Sequence, residues 1–89
     1  MKGDHNFMEQ SKTQVLKALG ILIRQYRMSI RISQEELGLR SHLDRTYISG
    51  LERGVRNPSL TVLVSLASGL NITVSELLEN LETEMRNVE

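Results

Sequence analysis

Between residues 24 and 56 every basic side chain is an arginine, seven in all, with no Lys among them. A guanidinium presents parallel donors in a rigid fork, which fits the oxygens of a phosphate and the O6 and N7 edge of guanine. In that stretch Arg45, Thr46, Ser49, Gly50 and Arg53 fall on one side of a helical period, and Ile48 and Leu51 on the other. Forked donors and short hydroxyls on an outward face, backed by aliphatic residues, suit recognition better than catalysis. Catalytic chemistry finds little to work with. There is no Cys, which excludes thiolate zinc sites, disulfides and thiol nucleophiles. His5 and His42 stand apart from each other and from any acidic cluster, so no metal site is expected. Glu36 and Glu76 each close an S/T-x-x-E pattern and are read as helix-capping residues. No phosphate-loop, H-E-x-x-H or G-x-S-x-G motif occurs. No catalytic residue, no cofactor and no enzymatic activity are expected.

The scaffold that must hold these residues is small. Eighty-nine residues make one domain and leave no room for a separate ligand-sensing module, so no small-molecule effector is expected. Hydrophobic residues make up 39% and charged residues 25%, a balance that supports a folded core. Aromatics are only 3% (Phe7, Tyr26 and Tyr47), too few for a platform of base-stacking rings. No apolar run is long enough for a membrane span and no secretory signal is seen, so a cytoplasmic location and no membrane partner are expected. Net charge is zero but unevenly spread: the seven Arg of residues 24–56 face only Glu35, Glu36, Asp44 and Glu52, while Arg86 faces five Glu in residues 57–89.

The periodicity reads as all-α, with five helices. Residues 1–11 lack a period and are read as a flexible arm; residues 12–89 form the single folded domain. Helix 1 runs from about Thr13 to Ser29, with Leu16, Leu19, Ile23, Tyr26 and Ile30 on one face. Ser33 with Glu36 forms a capping box that opens helix 2, from Gln34 to about Arg40. Asp44 is the expected N-cap of helix 3, which runs from Arg45 to about Arg53 and stops at Gly54. Asn57-Pro58 is the expected start of helix 4, with Leu60, Leu63, Val64 and Ala67 on one face and an end near Gly69. Thr73 with Glu76 opens helix 5, lined by Val74, Leu77, Leu78, Leu81 and Met85.

Helices 2 and 3 are short and separated only by Ser41 to Leu43, the pattern of a helix-turn-helix. A major groove about 12 Å wide admits one such helix. The stretch from Ile32 to Leu78 resembles the Cro/phage-repressor type of helix-turn-helix domain. Its segment LDRTYISGLERGVRNPS looks closer still to the controller proteins of restriction–modification systems. The resemblance carries Ser33-Gln34, Tyr47-Ile48-Ser49, Glu52-Arg53-Gly54, Asn57-Pro58-Ser59 and Leu66-Ala67 without a gap. It implies a five-helix repressor-like domain, dimerisation and paired operator half-sites. Two positions depart from the common pattern: His42 stands where Gly is usual in the turn, and Arg31 where Gly is usual before the helix 2 cap. Both are places where positive φ is expected.

With helix 3 in a major groove, Arg45, Thr46 and Ser49 are the candidate base readers: Arg45 for guanine, Thr46 for a thymine methyl or a phosphate, Ser49 for a base edge or bridging water. Gly50 is read as permitting a close approach. Gln34, Arg40, Tyr47, Arg53 and Arg56 are candidates for the DNA backbone. For each single Arg the competing reading is a solvated surface charge, and for Tyr47 a wholly structural ring. The resemblance implies an internal ion pair between Arg27 and Glu52. One short helix reads few base pairs, so a homodimer is expected, its two recognition helices about 34–36 Å apart. Leu77, Leu81 and Met85 are the candidate interface, with helix 4 contributing Val62 and Leu66. Glu35 and Glu36 are the candidate contact for RNA polymerase. These readings point to a regulator of transcription on a palindromic double-stranded operator, and the resemblance implies the controller type, acting on its own gene and an endonuclease gene. A phage-type repressor or an antitoxin is the alternative.

Overall fold

The structure, a computed structural model, describes the backbone of residues 2–88 and the side chains of residues 11–88. Its helices are α1 (Lys2–Ser29), α2 (Gln34–Ser41), α3 (Arg45–Glu52), α4 (Leu60–Gly69), α5 (Val74–Leu78) and α6 (Leu81–Asn87). No strand occurs among the described residues, so the chain is all-α as expected. One core joins Leu19 and Ile23 of α1, Leu37 of α2, Ile48 and Leu51 of α3, Leu66 and Leu70 of the α4 region, and Leu77 of α5. Removing any of these side chains costs a few kcal/mol, because the transfer energy and the cavity left behind add.

Several local expectations change. The backbone of α1 is helical from Lys2, ahead of the expected start near Thr13. The expected arm over residues 1–11 lies, Ser11 apart, outside the residues whose side chains are described. The fifth expected helix is in two pieces: α5 ends at Leu78, Asn80 leaves helical geometry (φ −102°, ψ 18°), and α6 then packs back along α1. Helix α4 starts two residues later than Asn57-Pro58 implied. Ser59 is its N-cap, its hydroxyl accepting a hydrogen bond from the Val62 amide at 3.2 Å, and this cap outcompetes the Pro signal. The expected apolar face of this helix is split: Leu60 and Val64 lie exposed, while Leu63 packs partly on the core and Ala67 is buried. The Thr73–Glu76 capping box is complete. The Ser33–Glu36 box is half made. The Ser33 hydroxyl accepts from the Glu36 amide, but the Glu36 carboxylate accepts from Arg40 instead of turning back to Ser33.

The tight connections that set the helix-turn-helix use left-handed backbone. Arg31 and His42 both have φ 59°, as expected of the two positions where Gly is usual, and Gly54 has φ 78°. The turn after α2 folds back onto the helix at Gly38, where the Leu43 amide donates to the Gly38 carbonyl at 2.8 Å. A Cβ on Gly38 would meet the Leu43 carbonyl oxygen at 2.5 Å, so the glycine this turn needs sits inside α2 rather than at position 42.

Candidate nucleic-acid interface

Helix α3 is pinned from behind. Ile48 and Leu51 are buried in the core. At its crossing with α1 the backbones nearly touch, since a Cβ on Gly20 would lie 2.5 Å from the Leu51 carbonyl oxygen. Beside that crossing Arg27 and Glu52 form a two-pronged pair: Nε donates to one carboxylate oxygen at 2.6 Å and a terminal nitrogen to the other at 3.0 Å. A second arm of Arg27 donates to the Ile32 carbonyl at 2.9 Å. Both side chains are largely shielded, with 13% and 5% of their surface exposed. The hydrogen bonds that Arg27 donates to Glu52 raise its pKa above its ordinary value, and the nearby negative charge adds to this, against the opposing effect of burial. Gln34, at the first turn of α2, joins this pair by donating from its amide to Glu52 at 3.1 Å. Sequence spacing gave no hint of that contact, which joins residues 18 positions apart.

The opposite side of α3 is open. Arg45, Thr46 and Arg53 are exposed and Ser49 is half-buried. Arg45 makes no ion pair with its neighbour Asp44 or with any other described acid. Asp44 occupies the N-cap position, but its side chain makes no cap hydrogen bond, contrary to expectation. Arg40 is drawn along its own helix to Glu36 at 3.1 Å, a solvated pair one turn apart. The loop after α3 folds back on the open side. The Val55 amide donates to the Gly50 carbonyl at 3.0 Å. The Arg56 stem crosses Gly50 so closely that a Cβ there would sit 2.8 Å from Arg56 Cγ. The Arg56 guanidinium ends over the Tyr47 ring, 5.8 Å from its centre, within cation–π range. Gly50 is thus covered by the Arg56 side chain.

Away from α3, Leu77 is 0% exposed, inside the monomer core, so it is not available to a partner. The helical period alone could not distinguish this core position from an interface. Leu81 packs partly on the core, and Met85 lines an open groove with Ser11, Gln14, Glu82 and Arg86. Val62 also packs partly on the core and Leu66 is fully buried. Among the described residues no group of three or more His, Asp or Glu side chains could hold a metal ion, and no single helix is long and apolar enough to cross a membrane.

A short helix braced by a second short helix, with Arg45, Thr46 and Arg53 exposed on its outer side, defines a helix-turn-helix module. The family model described as "Helix-turn-helix" matches residues 23–77, and the chain belongs to that family of DNA-binding regulators. Among similar proteins is the control protein C.MunI of Mycoplasma sp, 47% identical over 53 residues, covering 60% of this chain and 72% of that protein. The control protein C.BamHI of Bacillus amyloliquefaciens is 41% identical over 61 residues, covering 67% and 75%. Among solved structures, the restriction–modification controller protein C.AhdI of Aeromonas hydrophila superposes with a TM-score of 0.68 at 44% identity, covering 70% of this chain and 94% of that one. Membership in this family of regulators agrees with the expectation of no enzymatic activity.

Proposed function

We propose that this protein is a homodimeric controller of a restriction–modification system, binding a palindromic operator in the cytoplasm and timing its own gene and an endonuclease gene. The observation that carries the DNA-binding part is the open side of α3, where Arg45 and Arg53 are exposed and form no ion pair among the described residues. Arg45, Thr46 and Ser49 read bases. Arg53, Arg56 and Tyr47 hold the backbone, with Gln34 presenting its second amide proton beside the Arg27–Glu52 pair. Arg40 joins them by exchanging Glu36 for a phosphate. The controller role draws on the names of similar proteins, control protein and restriction–modification controller protein.

Dimerisation supplies the second recognition helix. Leu60 is 69% exposed and Val64 53% exposed, one turn apart on α4, an apolar pair that the monomer leaves uncovered. The interface is therefore centred on α4, with Leu81 and Met85 at its margin. Leu60→Glu should yield a monomer in sedimentation; an intact dimer refutes this interface. Activation of a promoter requires a surface for RNA polymerase, and Glu35 and Glu36 supply an acidic one at the start of α2, Glu35 being exposed.

The deciding experiment measures binding to duplex DNA across a salt series. Affinity should fall steeply with salt. Arg45→Ala should cost about 1–3 kcal/mol and relax the choice at one base pair, with unchanged melting temperature. An unchanged preferred sequence refutes the base-reading role. Absence of any salt-dependent DNA affinity refutes the whole reading.

A further inference from the structure

Val55 is 59% exposed although it is a large aliphatic residue, and it packs on no part of the core. It sits between two arginines, Arg53 and Arg56. Its backbone is not loose. Gly54, just before it, holds a left-handed conformation (φ 78°) and backs onto Lys17 of α1. The Val55 amide is tied to the Gly50 carbonyl at 3.0 Å. Arg56, just after it, lies across Gly50 and ends over Tyr47. Gly50 shares the outward side of α3 with Thr46 and Arg53, at four- and three-residue steps. The loop thus holds an uncovered isopropyl group next to the outward side of α3, with exposed Arg53 and Arg56 close by in the sequence to draw the segment against a polyanion.

We propose that Val55 is a specificity-determining residue that packs against the C5-methyl group of a thymine in the operator. That methyl is the one apolar group that base pairs expose in the major groove. A valine cannot hydrogen-bond a base edge or a phosphate, so an apolar partner is what this position can recognise. The inference rests on the DNA-binding reading above.

The test uses the duplex that the wild-type protein selects from a random-sequence library. Each thymine is replaced singly by deoxyuridine, which lacks the methyl, and affinities are measured for wild type and Val55→Ala. At one thymine in each half-site, deoxyuridine should weaken wild-type binding about fourfold, the worth of one buried methyl-sized group, and should leave Val55→Ala unaffected. All other positions should respond equally in the two proteins. Because the side chain is exposed, Val55→Ala should melt as the wild type does. Identical deoxyuridine profiles overturn the proposal. A uniform loss on every duplex, random sequence included, also overturns it, since that marks contact with the sugar–phosphate backbone. Weakened dimerisation of Val55→Ala in the absence of DNA overturns it as well, by assigning the residue to the partner subunit. If wild type selects no sequence, the DNA-binding reading fails and this inference with it; the other three outcomes leave that reading standing.

Discussion

On the side of α3 that meets α1, side chains are bound to one another; on the side that faces solvent, they are bound to almost nothing. The inner side has Ile48 and Leu51 in the core, a backbone contact at Gly20, and Glu52 held by Arg27 and Gln34. The outer side has Arg45 and Arg53 unpaired among the described residues, and a loop arginine resting on a glycine and an aromatic ring. The contrast separates two kinds of arginine in one short segment. Arg27 is held in the fold, and replacing it would strand a shielded carboxylate. Arg45 is exposed and has no ion-pair partner among the described residues. Composition counts these residues alike, and only their partners tell them apart.

Substitutions on each side should therefore have different signatures. The largest effect belongs to the inner side. Glu52→Ala removes one member of a shielded pair and should cost about 3 kcal/mol in denaturant unfolding. If Glu52→Ala melts no differently from a surface variant, the pair does not brace α3. Gly50→Ala should act on the outer side alone. Its new Cβ meets Arg56 Cγ, so the guanidinium must leave Tyr47 while the helix keeps its place. Stability should change by less than about 1 kcal/mol, since alanine's helix preference offsets the displacement. The readouts are a shift in the Tyr47 ring-proton resonances and a loss of DNA affinity at full folding. Unmoved resonances would show that Arg56 does not rest there in solution. The smallest effect is at the solvated pair on α2. Glu36→Ala breaks only the contact to Arg40, with both partners well exposed, and should cost about 0.3–0.5 kcal/mol in thermal melts. A loss as large as that of Glu52→Ala would erase the distinction between the pairs.

Much of the architecture was legible because helix ends are local events. Ser33, Thr73 and Gly54 each act within a few residues, whereas the expectation of positive φ at Arg31 and His42 comes from the resemblance, which has glycine at both places. The errors occur where two local signals compete or where the deciding contact is distant. Asn57-Pro58 and Ser59 both propose a start for α4, and the hydroxyl-to-amide bond at Ser59 wins. Glu36 is placed to close a capping box, yet Arg40 one turn along the same helix takes its carboxylate. Leu77 carries the same period whether it faces its own core or another subunit, and only tertiary packing assigns it to the first. The bond from Gln34 to Glu52 has no local signature at all. The break at Asn80 has neither Pro nor Gly to announce it. In the candidate interface the outward positions of α3 followed from periodicity, whereas the resting place of Arg56 required knowing how the next loop returns.

The turn between α2 and α3 carries a thermodynamic consequence of its own. Histidine at position 42 accepts a left-handed backbone that glycine would adopt freely, and that raises the energy of the folded chain. The same imidazole also narrows the range of shapes open to the unfolded chain, so less disorder is surrendered when the turn closes. The two effects oppose each other, so a change of His42 to glycine should move stability by less than the larger effect alone.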